Sequence, residues 1–172
     1  MELKPALEEL KKSPEFKKWF SSNNKTYFSY AFAMIENNTQ SEWQIGYYDS
    51  AKNKITTFII SESAVAIKPE EDIFKKSDMD VKKIDEEKLK LPLNGILIIA
   101  EKLKKEKYPK ELALKTIVIA QNLEDFGNIW NITYVTQSFS TLNIKIKADS
   151  GKIAEHKLCH LFEMADFSAK NC

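Results

Sequence analysis

The pentapeptide Trp43-Gln44-Ile45-Gly46-Tyr47 returns 87 positions later as Trp130-Asn131-Ile132-Thr133-Tyr134. The same ungapped shift sets Phe16-Lys17-Lys18 on Leu103-Lys104-Lys105, and Tyr30-Ala31-Phe32-Ala33 on Ile117-Val118-Ile119-Ala120. An offset this long predicts a duplicated pair of units, because solenoids stack shorter units three or more times.

Each half reads as helix followed by strands. Leu3, Leu7 and Leu10 recur at helical spacing, and Ser13-Pro14 is a cap and first-turn pair for a second helix that puts Phe16, Trp19 and Phe20 on one face. Phe28, Tyr30, Phe32 and Met34 then alternate with smaller residues, and Trp43, Ile45 and Tyr47 repeat that period of two. Strands are expected also at 55–60 and 64–67. Beyond Pro92 a helix buries Leu93, Ile96, Leu97, Ala100 and Leu103, stopping before Pro109. Strands at 114–120, 129–136, 139–148 and 153–162 follow, with a hairpin turn at Asp149-Ser150-Gly151-Lys152 where glycine supplies positive φ. The expected fold is therefore α+β, with two tandem units, each an N-terminal helix packed on its own three- or four-stranded antiparallel sheet. The first unit is expected over 1–68 and the second over 91–172, joined by a charged connector at 69–90.

Composition removes several function classes. The 26 basic residues are all lysine, and 25 acids nearly cancel them. Without arginine the chain lacks the side chain that reads guanine edges and grips phosphate bidentately, so sequence-specific nucleic-acid binding is not expected. The balanced charge offers no global field for an anionic surface. The longest apolar run, Gly95–Ala100, is far short of a membrane span, and the charged start Met1-Glu2-Leu3-Lys4 is unlike a leader peptide. A cytoplasmic chain without a membrane span is the expectation, with a trimmed ectodomain as the alternative.

Trp130-x-Ile132-x-Tyr134, followed by Leu142-x-Ile144-x-Ile146-x-Ala148-Asp149-Ser150-Gly151-Lys152-Ile153, resembles the PepSY domain. The resemblance runs over about 89–162 and extends to 16–60, so a tandem pair would fill the chain. It implies a cystatin-like layer and a role in protein contact or protease inhibition, with no catalytic residue to carry over. The cystatin inhibitory Gln-x-Val-x-Gly motif has no counterpart; Gln44-Ile45-Gly46 does not match it.

Few side chains suggest chemistry. His156, Cys159, His160 and Glu163 would share a face on a helix and could ligate zinc, but a strand turns Cys159 away from the two histidines. No Gly-x-Ser-x-Gly, Gly-x-Gly-x-x-Gly or phosphate-loop motif occurs. No catalytic residue, metal ligand or cofactor is therefore expected. Trp43, Tyr47, Trp130 and Tyr134 carry two readings: core beneath each helix, or an aromatic contact surface for a protein or peptide. The expected function is a non-enzymatic protein- or peptide-binding or scaffolding module. The alternative is a cone-shaped α+β domain with a small-molecule pocket, possibly an enzyme.

Overall fold

Near-continuous apolar runs mark strands buried deep within a sheet, and the chain has two: Tyr27–Glu36 and Ala113–Leu123. In the computed structural model, which describes residues 1–72 and 80–160, these two strands are hydrogen-bonded to each other. The helices are α1 (Leu3–Lys12), α2 (Pro14–Ser22) and α3 (Leu93–Lys107). The strands of the first half are β1 (Tyr27–Glu36), β2 (Thr39–Gln40), β3 (Trp43–Asp49), β4 (Lys54–Ile60), β5 (Val65–Ile67) and β6 (Glu71–Asp72). Those of the second are β7 (Ala113–Leu123), β8 (Gly127–Thr136), β9 (Ser140–Lys147) and β10 (Ile153–His160).

All of them belong to one antiparallel sheet, ordered β10-β9-β8-β7-β1-β3-β4-β5, with β2 beside β1 and β6 beside β4. The expected pair of tandem units with separate sheets is thus incorrect, and with it the PepSY-like tandem arrangement. The overturning contact is β1–β7, which pairs from Tyr30↔Gln121 to Glu36↔Lys115 and makes one sheet of both halves. The 87-residue offset has a different meaning in this topology. Phe32 pairs with Ile119, 87 positions on, so the offset spans the middle of a single sheet.

One sheet face carries the core. Directly opposed residues share a face, and one such row runs Ile146, Trp130, Ala120, Ala31, Ile45 and Phe58. The members at its centre are small. Ala31 and Ala33 on β1, with Val118 and Ala120 on β7, are fully buried. That low strip leaves room above it, and the indoles of Trp43 and Trp130 meet there with ring centroids 6.3 Å apart. Leu3, Ala6, Leu7 and Leu10 of α1 close over this face, as do Leu93, Ile96, Ala100 and Leu103 of α3. Ser13 ends α1 and caps α2 through its Oγ, which accepts from the Phe16 amide at 3.1 Å. Phe16 of α2 then packs on Tyr47 and Phe58. Beside α3, Gly151 takes φ +72° in the β9–β10 turn, and a Cβ there would lie 2.8 Å from Ile99 Cδ1.

The opposite face has no described helix over it. Its central side chains are half-buried and apolar (Phe32, Met34, Ile117 and Ile119), and amides and hydroxyls flank them. Asn143 Nδ2 donates to Asn131 Oδ1 at 2.6 Å, and Tyr30 Oη lies 2.9 Å from Thr57 Oγ1. The charged segment after β6 also contributes to the core. Ile84 is 1% exposed and its amide donates to the Phe28 carbonyl at 2.9 Å.

Candidate functional site

The four aromatic residues singled out in the sequence are all buried: Trp43 0%, Tyr47 5%, Trp130 1% and Tyr134 4% exposed. They lie on the helix-facing side of β3 and β8 and present no aromatic surface to solvent. Burial, followed by the nearby Glu86 carboxylate for Tyr47 and Glu101 for Tyr134, pushes both phenols well above their ordinary range, so both stay neutral.

The two tryptophans differ in one respect. Each stands on a strand one place from the central β1/β7 pair. The indole Nε1–H of Trp43 donates to the Met1 carbonyl at 2.8 Å. That of Trp130 is buried and has no hydrogen-bond partner among the described residues. An unpaired buried donor costs about 1–3 kcal/mol, and native chains hold few of them.

Trp130 lines a cleft of about 540 Å³ between α1 and the segment leading into α3. Leu3 and Leu7 form one wall; Leu89, Leu91 and Leu93 form the other. The size is that of an ordinary ligand pocket. Its lining includes the exposed ion pair of Lys11 Nζ with Glu86 Oε2, 2.6 Å apart. Glu2 also lines it. Its carboxylate accepts from the Leu93 amide at 2.7 Å and the Asn94 amide at 3.1 Å, so the residue preceding α1 caps α3. Glu2→Ala should therefore lower stability by about 0.5–2 kcal/mol, the range for lost N-caps. Urea midpoints check this, and an unchanged midpoint would mean that water caps α3 equally well. Removing the exposed Lys11–Glu86 pair should cost less, because such pairs contribute about 0–1 kcal/mol.

A second polar cluster closes the β8–β9 turn. Glu111 Oε2 accepts from Thr136 Oγ1 at 2.8 Å and from Ser138 Oγ at 2.5 Å, and Ser140 Oγ lies 2.7 Å from His160 Nδ1. Serine, histidine and carboxylate are all present here, but not in the order of a nucleophilic triad. The carboxylate meets the hydroxyls instead of orienting the imidazole, and Ser140 is 0% exposed. The Ser138 hydrogen bond above all, then Thr136 and the charge of His160, hold the Glu111 carboxyl below its ordinary 4.5. A carboxyl depressed by folding contributes stability that is present above its unfolded value and is lost as pH falls through the folded one. Glu111→Gln should flatten the acid limb of the stability curve below about pH 4.5. Acid titrations of the two proteins check this, and identical limbs would contradict it.

His156, Leu158 and His160 oppose Ile144, Leu142 and Ser140 on the helix side of the sheet, whereas Cys159 opposes Thr141 on the other side. His156 Nδ1 lies 2.7 Å from Tyr108 Oη. Glu163, the fourth member of that motif, lies outside the described residues, as does Cys172. Among the described residues, no three His, Cys, Asp or Glu side chains converge on a common point. No described helix is long and apolar enough to cross a membrane.

No family model and no curated protein matches the sequence. Among solved structures, the fold resembles a crystal structure of a "putative lipoprotein" from Clostridium difficile, with a TM-score of 0.54. The match covers 84% of this chain and 90% of that one at 12% identity, so the likeness is one of fold. It also corrects the expected cytoplasmic placement. This fold occurs in a protein described as a lipoprotein, and a charged opening stretch does not assign the chain to the cytoplasm.

Trp130 lines a cleft whose other lining residues stand some 40 and 125 positions away in the sequence, and no local pattern marks such a gathering.

Proposed function

We propose that this chain is a non-enzymatic binding module whose leucine-walled cleft takes an apolar segment of a peptide or protein. One observation carries the reading: a cleft of about 540 Å³ lined by leucines from both sides and by charges of both signs. Apolar walls suit a leucine- or phenylalanine-sized anchor, the kind of contact that dominates recognition energy. A lining of mixed sign suits main-chain amides and selects against no particular net charge. Binding fits better than catalysis here, because the Glu2 carboxylate is committed to α3 and Lys11 to Glu86. The lipoprotein likeness supports an extracytoplasmic setting as part of the proposal.

The uncovered sheet face, with Phe32 and Ile119 at its centre, supports a second reading in which a partner docks flat on the strands. Chemical-shift mapping with N-acetyl-Leu-Leu-amide separates the two. The amides of Leu3, Leu7, Leu89 and Leu91 should move, and those of Phe32 and Ile119 should stay in place. Shifts confined to Phe32, Ile119 and their neighbours would transfer the function to the open face.

A further inference from the structure

Trp43 and Trp130 stand on one sheet face, on strands placed alike about the β1/β7 centre, with their rings in contact. Their surroundings diverge at the indole nitrogens. Above Trp43 the chain arrives extended at Met1 and Glu2, and the Met1 carbonyl accepts from both Trp43 Nε1 (2.8 Å) and Gln40 Nε2 (3.0 Å). Before α3 the chain takes a different course. Glu86–Lys88 coils into a 3-10 turn, and the amides of Lys90 and Leu91 donate to the Ala148 carbonyl at 3.1 and 3.2 Å. That route draws the backbone onto the β9 end of the sheet, and no carbonyl among the described residues meets Trp130 Nε1. The cleft lies in the space between α1 and this diverted segment, with the Trp130 indole in its lining.

We infer that the cleft recognises an extended peptide main chain through a carbonyl that accepts from Trp130 Nε1–H, in the way that Met1 serves Trp43. The inference rests on the cleft being the binding site and adds what is read there: a main-chain carbonyl beside an apolar side chain. Two independent observations converge on it, the buried unpaired donor and the leucine-walled space next to it. The nitrogen is sealed from solvent, so the ligand reaches it by parting the leucines, with Leu89 and Leu91 the partly buried members. An apolar compound with no acceptor fills the same space and leaves the donor unpaired. A ligand with a carbonyl satisfies it, which is the larger source of discrimination in a buried site. An aliphatic chain and a peptide are thereby distinguished by this one hydrogen bond.

The test compares Trp130→Phe with the wild-type chain in calorimetric titrations against N-acetyl-Leu-Leu-amide and against cyclohexane, which has no acceptor, while the Trp130 indole N–H is followed by NMR. The expected result is a peptide-induced downfield shift of that N–H and a roughly 3- to 10-fold weaker peptide affinity in the variant. Cyclohexane affinity should change less than twofold. Peptide binding that moves the amides of Leu3, Leu7 and Leu89, but leaves the indole signal and the Trp130→Phe affinity unchanged, overturns the inference and keeps the cleft. Cyclohexane bound in preference to the peptide, with equal affinity in both proteins, assigns the cleft to aliphatic ligands and overturns the peptide reading. No shift at walls or indole up to millimolar peptide overturns both. The unfolding midpoint of Trp130→Phe, measured alongside, shows that the variant is folded. Should it not be, Leu89→Ala replaces it, with weakened peptide affinity expected and unchanged affinity counting against the cleft.

Discussion

Trp43→Ala is expected to lower the free energy of unfolding by about 3–5 kcal/mol, the cost of truncating a large aromatic in a packed core. Trp43 is 0% exposed, its ring touches that of Trp130, and beneath both lies the alanine strip. Alanines cannot swell to fill the space left behind, so the cavity should persist and the cost should fall in the upper part of that range. The lost indole N–H leaves the Met1 carbonyl with its second donor, Gln40, which limits the polar part of the penalty. Urea unfolding measures the change. A loss below about 1 kcal/mol would mean that the helices settle onto the strip and close the gap.

Trp130→Ala has nearly the same packing cost, again about 3–5 kcal/mol, with one difference in sign. No hydrogen bond is lost with this indole, and an unpaired buried donor disappears, so Trp130→Ala should cost less than Trp43→Ala by about 1 kcal/mol. The variant also opens the cleft into the space above the strip. Side-by-side urea titrations check the order, and a greater loss for Trp130→Ala would mean that its nitrogen has a partner, such as a buried water, in solution.

Local chemistry was readable in the sequence; pairing was not. The alternation at Trp43, Ile45 and Tyr47 marks a strand and its buried side, and Ser13-Pro14 marks a helix start, because each signal lies within a few residues of what it specifies. Gly151 announces its own turn in the same way. The β1–β7 joint leaves a fainter trace. Both strands are apolar on both faces, with Phe32 and Met34 beside Ala31 and Ala33, and Ile117 and Ile119 beside Val118 and Ala120. That pattern belongs to central strands, whereas two separate sheets would have made both of them outer strands. Strands of that kind fit the interior of one sheet. The cap on α3 comes from Glu2, 91 residues earlier, and the unpaired Trp130 nitrogen depends on where the backbone before α3 fails to go. Neither has any signature in the sequence near it.

The single sheet is the premise on which the meeting of the tryptophans and the placing of the cleft depend. Labelling the chain with 5-fluorotryptophan gives Trp43 and Trp130 separate 19F signals, each assigned by substitution to phenylalanine. As urea rises, both native signals should vanish at the same concentration in one cooperative transition, because β1 and β7 make the halves one unit. Two well-separated midpoints, one for each tryptophan, would contradict it and restore two units that fold apart.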